Sequence, residues 1–154
     1  MSSTPAVTAH DTKDAVVRRA VIARPADELY AVLADPRQHH VVDGGGTVGE
    51  IVSGSAPLTK GDSFTVKMKM FGAPYRIKSK VTAATPGQVI EWRHPLGHRW
   101  RWEFAAQADG STEVTHSFVH GASPLGPVLL RSAGKVNGKG MERSLTNLAA
   151  APTN

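Results

Sequence analysis

The chain of 154 residues contains no cysteine. That absence excludes disulfide bonds, thiolate nucleophiles and cysteine-bound metals. No apolar run approaches the roughly 18 residues that a membrane-spanning helix requires, so we expect no membrane span. The N-terminus also lacks the basic-then-apolar pattern of a secretory signal, and we therefore expect a cytoplasmic location.

Several familiar chemical motifs are missing as well. The glycines at 44–46 lack the Lys-Ser/Thr pair of a phosphate-binding loop, and a predicted strand follows them where such a loop needs a helix. No Ser-His-Asp arrangement can be placed. His94 and His98 flank a turn and could approach each other, whereas His116 and His120 on one strand would lie about 13 Å apart. No third metal ligand has a suitable spacing. We therefore expect no metal site and no cofactor.

The composition, 40% hydrophobic and 20% charged, is that of a folded globular protein. Residues 1–13 are small and polar without periodicity, so we expect a flexible tail there. Residues 14–150 have the length of a single domain with one core. The net charge of +5 suits an anionic partner or ordinary solubility, because the basic residues alternate along strands and form no run.

The start of the predicted domain favours a strand and then two short helices. Residues 14–23 are rich in valine, as strands are. Pro25 and the two acids behind it suit a helix start, because proline needs no amide donor there and acids offset the positive helix end. Pro36 ends this helix, and residues 37–42 can form one more short turn before the three glycines.

Six further strands and one long helix follow. Turn residues separate strands that we place at 46–54, 62–70, 75–84, 88–94, 98–107 and 112–120. Linkers this short join antiparallel neighbours. A helical pattern then runs from Ser123-Pro124 to about residue 150, with glycines at 134, 138 and 140. These glycines allow two interpretations: a break into two helices, or one bent helix with room for a neighbouring element or a ligand.

The bulky residues of these strands share one parity, and the charged residues share the other. Successive strand residues point to opposite faces, so the sheet has one apolar, aromatic face and one basic face. Aromatic side chains and methionines line small-molecule pockets, although the same residues would also suit a plain core beneath the long helix. We predict that nine residues of the apolar face contact a ligand: Met68, Met70, Tyr75, Ile77, Trp92, Trp100, Trp102, His116 and Phe118.

Turn lengths predict which of these side chains meet across the sheet. A three-residue loop at 95–97 places Trp92 opposite Trp100. A three-residue loop at 108–110 places Trp102 opposite His116. A two-residue turn at Asp109-Gly110 would instead slip the last strand and turn His116 outward.

The cross-strand pairs of the charged face depend on the hairpin between the strands at 62–70 and 75–84. A four-residue loop at 71–74 gives the pairs Met70–Tyr75, Met68–Ile77, Lys67–Lys78 and Lys69–Arg76. Like charges in direct opposition repel, and an anionic partner would relieve that repulsion. Long side chains can also splay into water. Because no aromatic residues lie among these charges, we do not expect nucleic acid to stack there.

Five segments carry a family resemblance: VIARPADELYAVLADP at 21–36, GDSF at 61–64, IEW at 90–92, GSTEVT at 110–115 and MERSLTNL at 141–148. They resemble segments of the START-like helix-grip superfamily, also called SRPBCC, which includes polyketide cyclase/dehydrase and lipid-transport proteins. The resemblance covers about residues 14–150. It implies an α+β fold: a seven-stranded antiparallel curved sheet around a long C-terminal helix, with two short helices between strands 1 and 2.

The resemblance also implies a function. Members of this superfamily bind lipids, sterols and polyketides between the sheet and the last helix, so we expect a hydrophobic or amphipathic small-molecule ligand. A cyclase or dehydratase using the same cavity is the alternative, and it needs a proton donor or acceptor there. His116 is the first candidate and Tyr75 the second. Arg143 could reach in from the helix, but the sequence favours a surface position for it. The chain departs from a common pattern by lacking a tryptophan after the first helix pair, where it has HHVVDGGG at 39–46.

Overall fold

The computed structural model describes residues 4–46, 48–70, 72–121 and 126–152, with the side chains of Met70 and of residues 126–136 outside the description. The strands are β1 (Thr8–Ala9), β2 (Ala15–Ile22), β3 (Val48–Ser53), β4 (Ser63–Met70), β5 (Ala73–Thr85), β6 (Val89–Arg93), β7 (Arg99–Ala106) and β8 (Thr112–Val119). The helices are α1 (Ala26–Leu33), α2 (His39–Val42) and α3 (Gly126–Ala150), with a 3-10 turn at Pro36–Gln38.

The strands form one antiparallel sheet in the order β1-β2-β8-β7-β6-β5-β4-β3. This arrangement is the α+β helix-grip fold that the sequence predicts. The strand count differs, because Thr8 and Ala9 pair with Arg19 and Arg18 and add an eighth strand at the edge. Two residues carry no detectable period, so the sequence could not predict this short strand.

The core lies between the apolar face of the sheet and the helices. Leu29 and Leu33 of α1 and Leu145 and Leu148 of α3 are almost fully buried against it. Arg24 fixes the end of α3, because its Nη1 donates to the carbonyls of Leu148, Ala149 and Ala151 at 2.7–3.3 Å. A cation suits the negative end of a helix and its unpaired carbonyls.

Helix α3 is continuous through Gly138 and Gly140, and these glycines leave room for neighbours. A Cβ on Gly138 would lie 2.5 Å from the guanidinium of Arg18, and one on Gly140 would meet Gly45 at 3.4 Å. On the loop side of the same contact, a Cβ on Gly44 would collide with the Gly140 carbonyl. The interpretation of one helix that admits a neighbouring segment therefore fits the structure. The predicted N-terminal pair Ser123-Pro124 lies outside the described residues.

The β4–β5 hairpin corrects one predicted register. Met70 pairs with Ala73, not with Tyr75, so the loop has two residues and not four. Every predicted pair in this hairpin is therefore wrong by two positions: the observed pairs are Met68–Tyr75, Val66–Ile77, Lys67–Arg76 and Thr65–Lys78, with Lys69 facing Pro74. The glycine at 72 has φ +78°, a conformation that glycine adopts without strain and that tight hairpin turns require. A slip of two residues keeps each side chain on its predicted face.

The other two hairpins with a predicted register, β6–β7 and β7–β8, have that register. Trp92 pairs with Trp100 across β6 and β7, and Trp102 pairs with His116 across β7 and β8. The alternative two-residue turn at Asp109-Gly110 is excluded, because the observed β7–β8 register keeps His116 on the apolar face. The sheet therefore has the apolar inner face and the basic outer face that residue parity predicts.

Candidate functional site

The inner face of the sheet is closely packed at one end and accessible at the other. At the packed end, Val81, Ile90, Trp102 and Val114 are each 2% exposed or less. Five inner-face residues nearer the β4–β5 hairpin and the β6–β7 loop stay only half-buried: Met68, Tyr75, Ile77, Trp92 and Trp100. They form an accessible, largely aromatic part of the inner face at the end of the sheet where β8 ends and α3 begins. We call it the aromatic groove.

Three predicted site residues form a stack that connects the two ends. The His116 ring lies on Trp102 with ring centroids 3.6 Å apart and planes 14° from parallel. Trp100 flanks the same imidazole at 5.6 Å and 24° and touches Phe118 at 4.8 Å. The stack places a polar ring at the base of an otherwise aromatic wall.

His116 is neutral, and its tautomer is fixed by the backbone. Its Nδ1 lies 3.2 Å from the Arg101 carbonyl oxygen. A carbonyl only accepts, so Nδ1 carries the proton and Nε2 keeps its lone pair. Burial lowers the pKa of His116 to about 3, and the bond to the Arg101 carbonyl opposes that shift only in part. Nε2 has no hydrogen-bond partner among the described residues.

A second histidine of the same kind was not predicted from the sequence. His39, from the segment that replaces the expected tryptophan, stacks on Trp92 at 4.6 Å and 19° and meets Phe64 edge-on at 5.1 Å. Its Nε2 donates to the Leu33 carbonyl over 2.8 Å. Burial lowers its pKa to about 4. The sequence held one signal for this site: the tryptophan common in the family is missing here, and a histidine supplies the aromatic ring in its place.

The predicted site residues fall into three groups. The backbone of Met70 follows Met68 at the end of β4, but its side chain lies outside the description. The half-buried residues of the aromatic groove are Met68, Tyr75, Ile77, Trp92 and Trp100. The buried residues at its base are Trp102, His116 and Phe118. All eight whose burial is described therefore share one face, as parity requires.

Arg18 takes a place that parity did not predict, whereas Arg143 lies on the surface. Arg18 lies on the inner face opposite His116, is 9% exposed, and pairs with Asp11 at 2.6 Å and Glu142 at 3.4 Å. Its charge is thus matched by two carboxylates beneath α3. Arg143 is exposed, which confirms the surface interpretation, and its Nε donates to the Gly44 carbonyl at 2.9 Å. Arg143 therefore holds the glycine loop against α3 and does not enter the groove.

The β6–β7 loop brings His94 and His98 together at the rim of the groove. Their rings stack at 4.2 Å, and His98 also contacts Phe118 at 5.0 Å. Burial lowers the pKa of both, and the proximity of His94 helps to bring that of His98 to about 4. Within the described ranges, no three histidine or carboxylate side chains come close enough to hold a metal ion. No described helix has the length and apolar character to cross a membrane.

Two curated relatives and many solved structures are similar to this chain. The Mycobacterium tuberculosis (strain H37Rv) protein Rv0088, itself uncharacterised, is 45% identical over 149 residues, which is 93% of this chain. The chain spans 66% of the length of that relative.

The solved structures share the fold at low identity. Protein Ms6760 from Mycobacterium smegmatis superposes with a TM-score of 0.71 at 19% identity, over 97% of this chain and 96% of that one. The di-domain ARO/CYC StfQ from the steffimycin biosynthetic pathway has a TM-score of 0.58 at 17% identity, over 90% of this chain and 51% of that one.

Residues 13–151 match the family described as "Polyketide cyclase / dehydrase and lipid transport". The match covers nearly the whole described chain and includes every strand of the sheet except β1, together with α1, α2 and α3. The chain therefore belongs to the polyketide cyclase/dehydrase and lipid transport family.

Proposed function

We propose that this protein binds a hydrophobic or amphipathic small molecule, lipid- or polyketide-like, in the aromatic groove between sheet and α3. One observation carries the proposal: Trp92, Trp100 and Tyr75 stay half-buried on a face whose other end is fully packed. Large aromatic side chains that stay accessible lose water when a ligand covers them, which favours binding. The family description supports the same class of ligand.

His116 supplies the polar contact of the groove. Its Nε2 lone pair can accept a hydrogen bond from a ligand hydroxyl, while Nδ1–H stays on the Arg101 carbonyl. A pKa of about 3 makes this nitrogen a weak base at neutral pH, so it suits recognition better than proton abstraction. An amphipathic ligand would thus place its hydroxyl on His116 and its apolar body along Trp100.

The first experiment separates the open end of the inner face from the packed end. Three variants each keep one tryptophan and carry phenylalanine at the other two. Fatty acids, sterols and aromatic polyketide mimics are titrated while fluorescence is recorded. We expect Trp92 and Trp100 to respond, and Trp102, which is 2% exposed, to change little. An equal response of all three, or no response to any class, would contradict the proposal; native mass spectrometry of freshly purified protein identifies any ligand already bound.

A second experiment blocks the groove without changing its chemistry. Ile77→Trp adds bulk to a half-buried inner-face position, and we expect it to weaken binding at least about tenfold, or about 1.4 kcal/mol. Val21→Trp is the matched control, because it adds the same side chain at a position that is 53% exposed. Ligand affinity that stays equal in the two variants would place the ligand elsewhere.

A cyclase- or dehydratase-type enzyme using the same groove is the second candidate, supported by the family description and by the presence of His116 at the base of the groove. His116→Phe retains a flat ring against Trp102 and removes the Nε2 lone pair. In an enzyme that depends on His116, this variant loses turnover and keeps most ligand affinity. A variant that loses affinity alone identifies His116 as a wall of the groove and removes the acid–base candidate.

A further inference from the structure

A dense group of cations covers the outer face of the sheet near the open end of the groove. Six of them are exposed and have no acidic partner among the described residues. The seventh, Arg99, is half-exposed and reaches Glu91 at 3.4 Å, a carboxylate that also pairs with Arg101. We call these seven residues the basic cluster: Lys67, Lys69, Arg76, Lys78, Lys80, Arg93 and Arg99.

The strand registers force members of the basic cluster into direct opposition. Lys67 faces Arg76 across β4 and β5. Lys80, Arg93 and Arg99 occupy one row across β5, β6 and β7. Opposed residues on one face have Cβ atoms about 5 Å apart, so these charges repel one another. A surface that carries many negative charges would relieve the repulsion at several positions at once.

The loop between Arg93 and Arg99 adds an apolar tip beside this cluster. Leu96 is 82% exposed, the most exposed of the large hydrophobic residues described. The loop that carries it is held below by the stacked His94–His98 pair and by a hydrogen bond of 2.8 Å from His94 N to the His98 carbonyl. Leu96 is therefore presented on a fixed hairpin loop and not on a loose segment.

We propose that the basic cluster and Leu96 dock the protein on an anionic lipid surface. The cations match lipid phosphates, and the leucine matches the apolar layer behind them. Nucleic acid is disfavoured, because the described aromatic side chains of these strands point to the inner face and leave none for stacking on bases. The β4–β5 hairpin, the β6–β7 loop and the start of α3 share this end of the sheet. Docking there brings the mouth of the aromatic groove to the lipid.

The test uses vesicles of phosphatidylcholine with and without phosphatidylglycerol. Binding should require phosphatidylglycerol and should fade as salt rises from about 10 mM to about 150 mM, where the screening length falls from about 30 Å to about 8 Å. The chain has no cysteine, so Leu96→Cys offers a single site for an environment-sensitive dye. We expect its emission to shift to shorter wavelength on these vesicles. Bound protein without a shift would overturn the proposed orientation.

Charge-reversal variants test the cluster itself. Each basic residue at an anionic surface contributes about fivefold to binding, or about 1 kcal/mol, so Lys80→Glu with Arg93→Glu should weaken vesicle binding by at least about 25-fold. Lys60→Glu with Lys139→Glu makes the same change of net charge at exposed positions outside the cluster and should have a much smaller effect. If the Glu pair folds poorly, Lys80→Gln with Arg93→Gln replaces it, because it removes the same two positive charges and should also weaken vesicle binding.

Three outcomes would overturn this proposal. Vesicle binding could be absent at low salt, or it could respond equally to both charge-reversed pairs. Alternatively, duplex DNA or RNA could bind more tightly than the vesicles under the same conditions, which would assign the cluster to nucleic acid. None of these outcomes bears on ligand binding by the protein in solution, because the basic cluster lies on the outer face and the aromatic groove on the inner face.

Discussion

His39 and His116 serve as flat rings that carry one polar atom each into an apolar layer. Each lies on a tryptophan, Trp92 or Trp102. Each donates one ring N–H to a backbone carbonyl, that of Leu33 or Arg101. Such a ring is neutral in the folded protein and fixed in both tautomer and orientation. The two histidines therefore resemble aromatic core residues that retain a single free acceptor.

The neutral state of these rings predicts that stability falls as the pH is lowered. In the unfolded chain a histidine has a pKa near 6.5, whereas burial holds His39 near 4 and His116 near 3. Below pH 6.5 the unfolded state therefore binds protons that the folded state does not. The free energy of unfolding should decrease by up to about 1.4 kcal/mol per pH unit for each ring, down to pH 4. Urea denaturation at pH 7.5, 6, 5 and 4 measures this slope.

Two variants assign the slope to these residues. His39→Phe and His116→Phe keep a ring on Trp92 or Trp102 and cannot be protonated, so each should flatten the slope. The double variant should flatten it further, although the lowered pKa values of His94 and His98 leave part of the slope in place. A slope unchanged in the double variant would show that other groups cause the acid sensitivity.

Parity and turn length predicted His116 and its contact with Trp102, because both follow from local register. The same reasoning missed His39 and Arg18. His39 reaches Trp92 from a helical turn about 50 residues away in sequence, and no strand period encodes that approach. Arg18 lies on an inner face where a charge is unexpected, and its partners Asp11 and Glu142 come from opposite ends of the chain.

Helix α3 and the glycine loop after α2 pack so closely that a side chain fits at Gly140 of the helix but not at Gly44 of the loop. Gly44→Ala would drive its Cβ into the Gly140 carbonyl and the Arg143 side chain. It would also strain the bond of 2.8 Å from Gly44 N to Ser144 Oγ. We expect a loss of about 2 kcal/mol or more in unfolding free energy, as overpacked sites show. Thermal and urea denaturation measure it.

Gly140→Ala is the matched variant on the other side of the same contact. Its Cβ would meet Gly45 at 3.4–3.5 Å, an ordinary van der Waals distance. Alanine in a helix interior is favoured over glycine by about 1 kcal/mol, so this variant should be neutral or stabilising. If Gly140→Ala proves as harmful as Gly44→Ala, the approach is tighter than the described contact.

The order and type of the strands and helices could be predicted because residue period and turn chemistry are local signals. The β4–β5 register could not, since Gly72 permits a two-residue turn where Gly72-Ala73-Pro74 suggested a longer loop. The correction moves Lys67 from Lys78 to Arg76 without changing its face. A slip of two positions thus altered the cross-strand pairs and left each side chain on its predicted face.

The two ends of the sheet differ in how completely they bury their apolar side chains. One end buries Leu29, Ile90, Val114 and Leu145 completely and supplies most of the hydrophobic stabilisation. The other end leaves large apolar side chains in contact with solvent, at a cost in stability that ligand burial would recover. Stability and ligand contact should therefore respond to different substitutions.

A pair of isoleucine truncations tests this division. Ile90→Ala creates a cavity at a fully buried position and should cost about 2–5 kcal/mol of unfolding free energy. Ile77→Ala removes the same atoms from a half-buried position on the groove and should cost no more than about half as much, because the site already borders accessible space. Urea denaturation gives both values, and tryptophan titration of the folded variants gives their ligand affinities. We expect Ile77→Ala to weaken ligand binding and Ile90→Ala to leave it largely unchanged. Equal losses of stability would mean that the groove is as tightly packed as the core, and a loss of affinity confined to Ile90→Ala would move the ligand to the packed end.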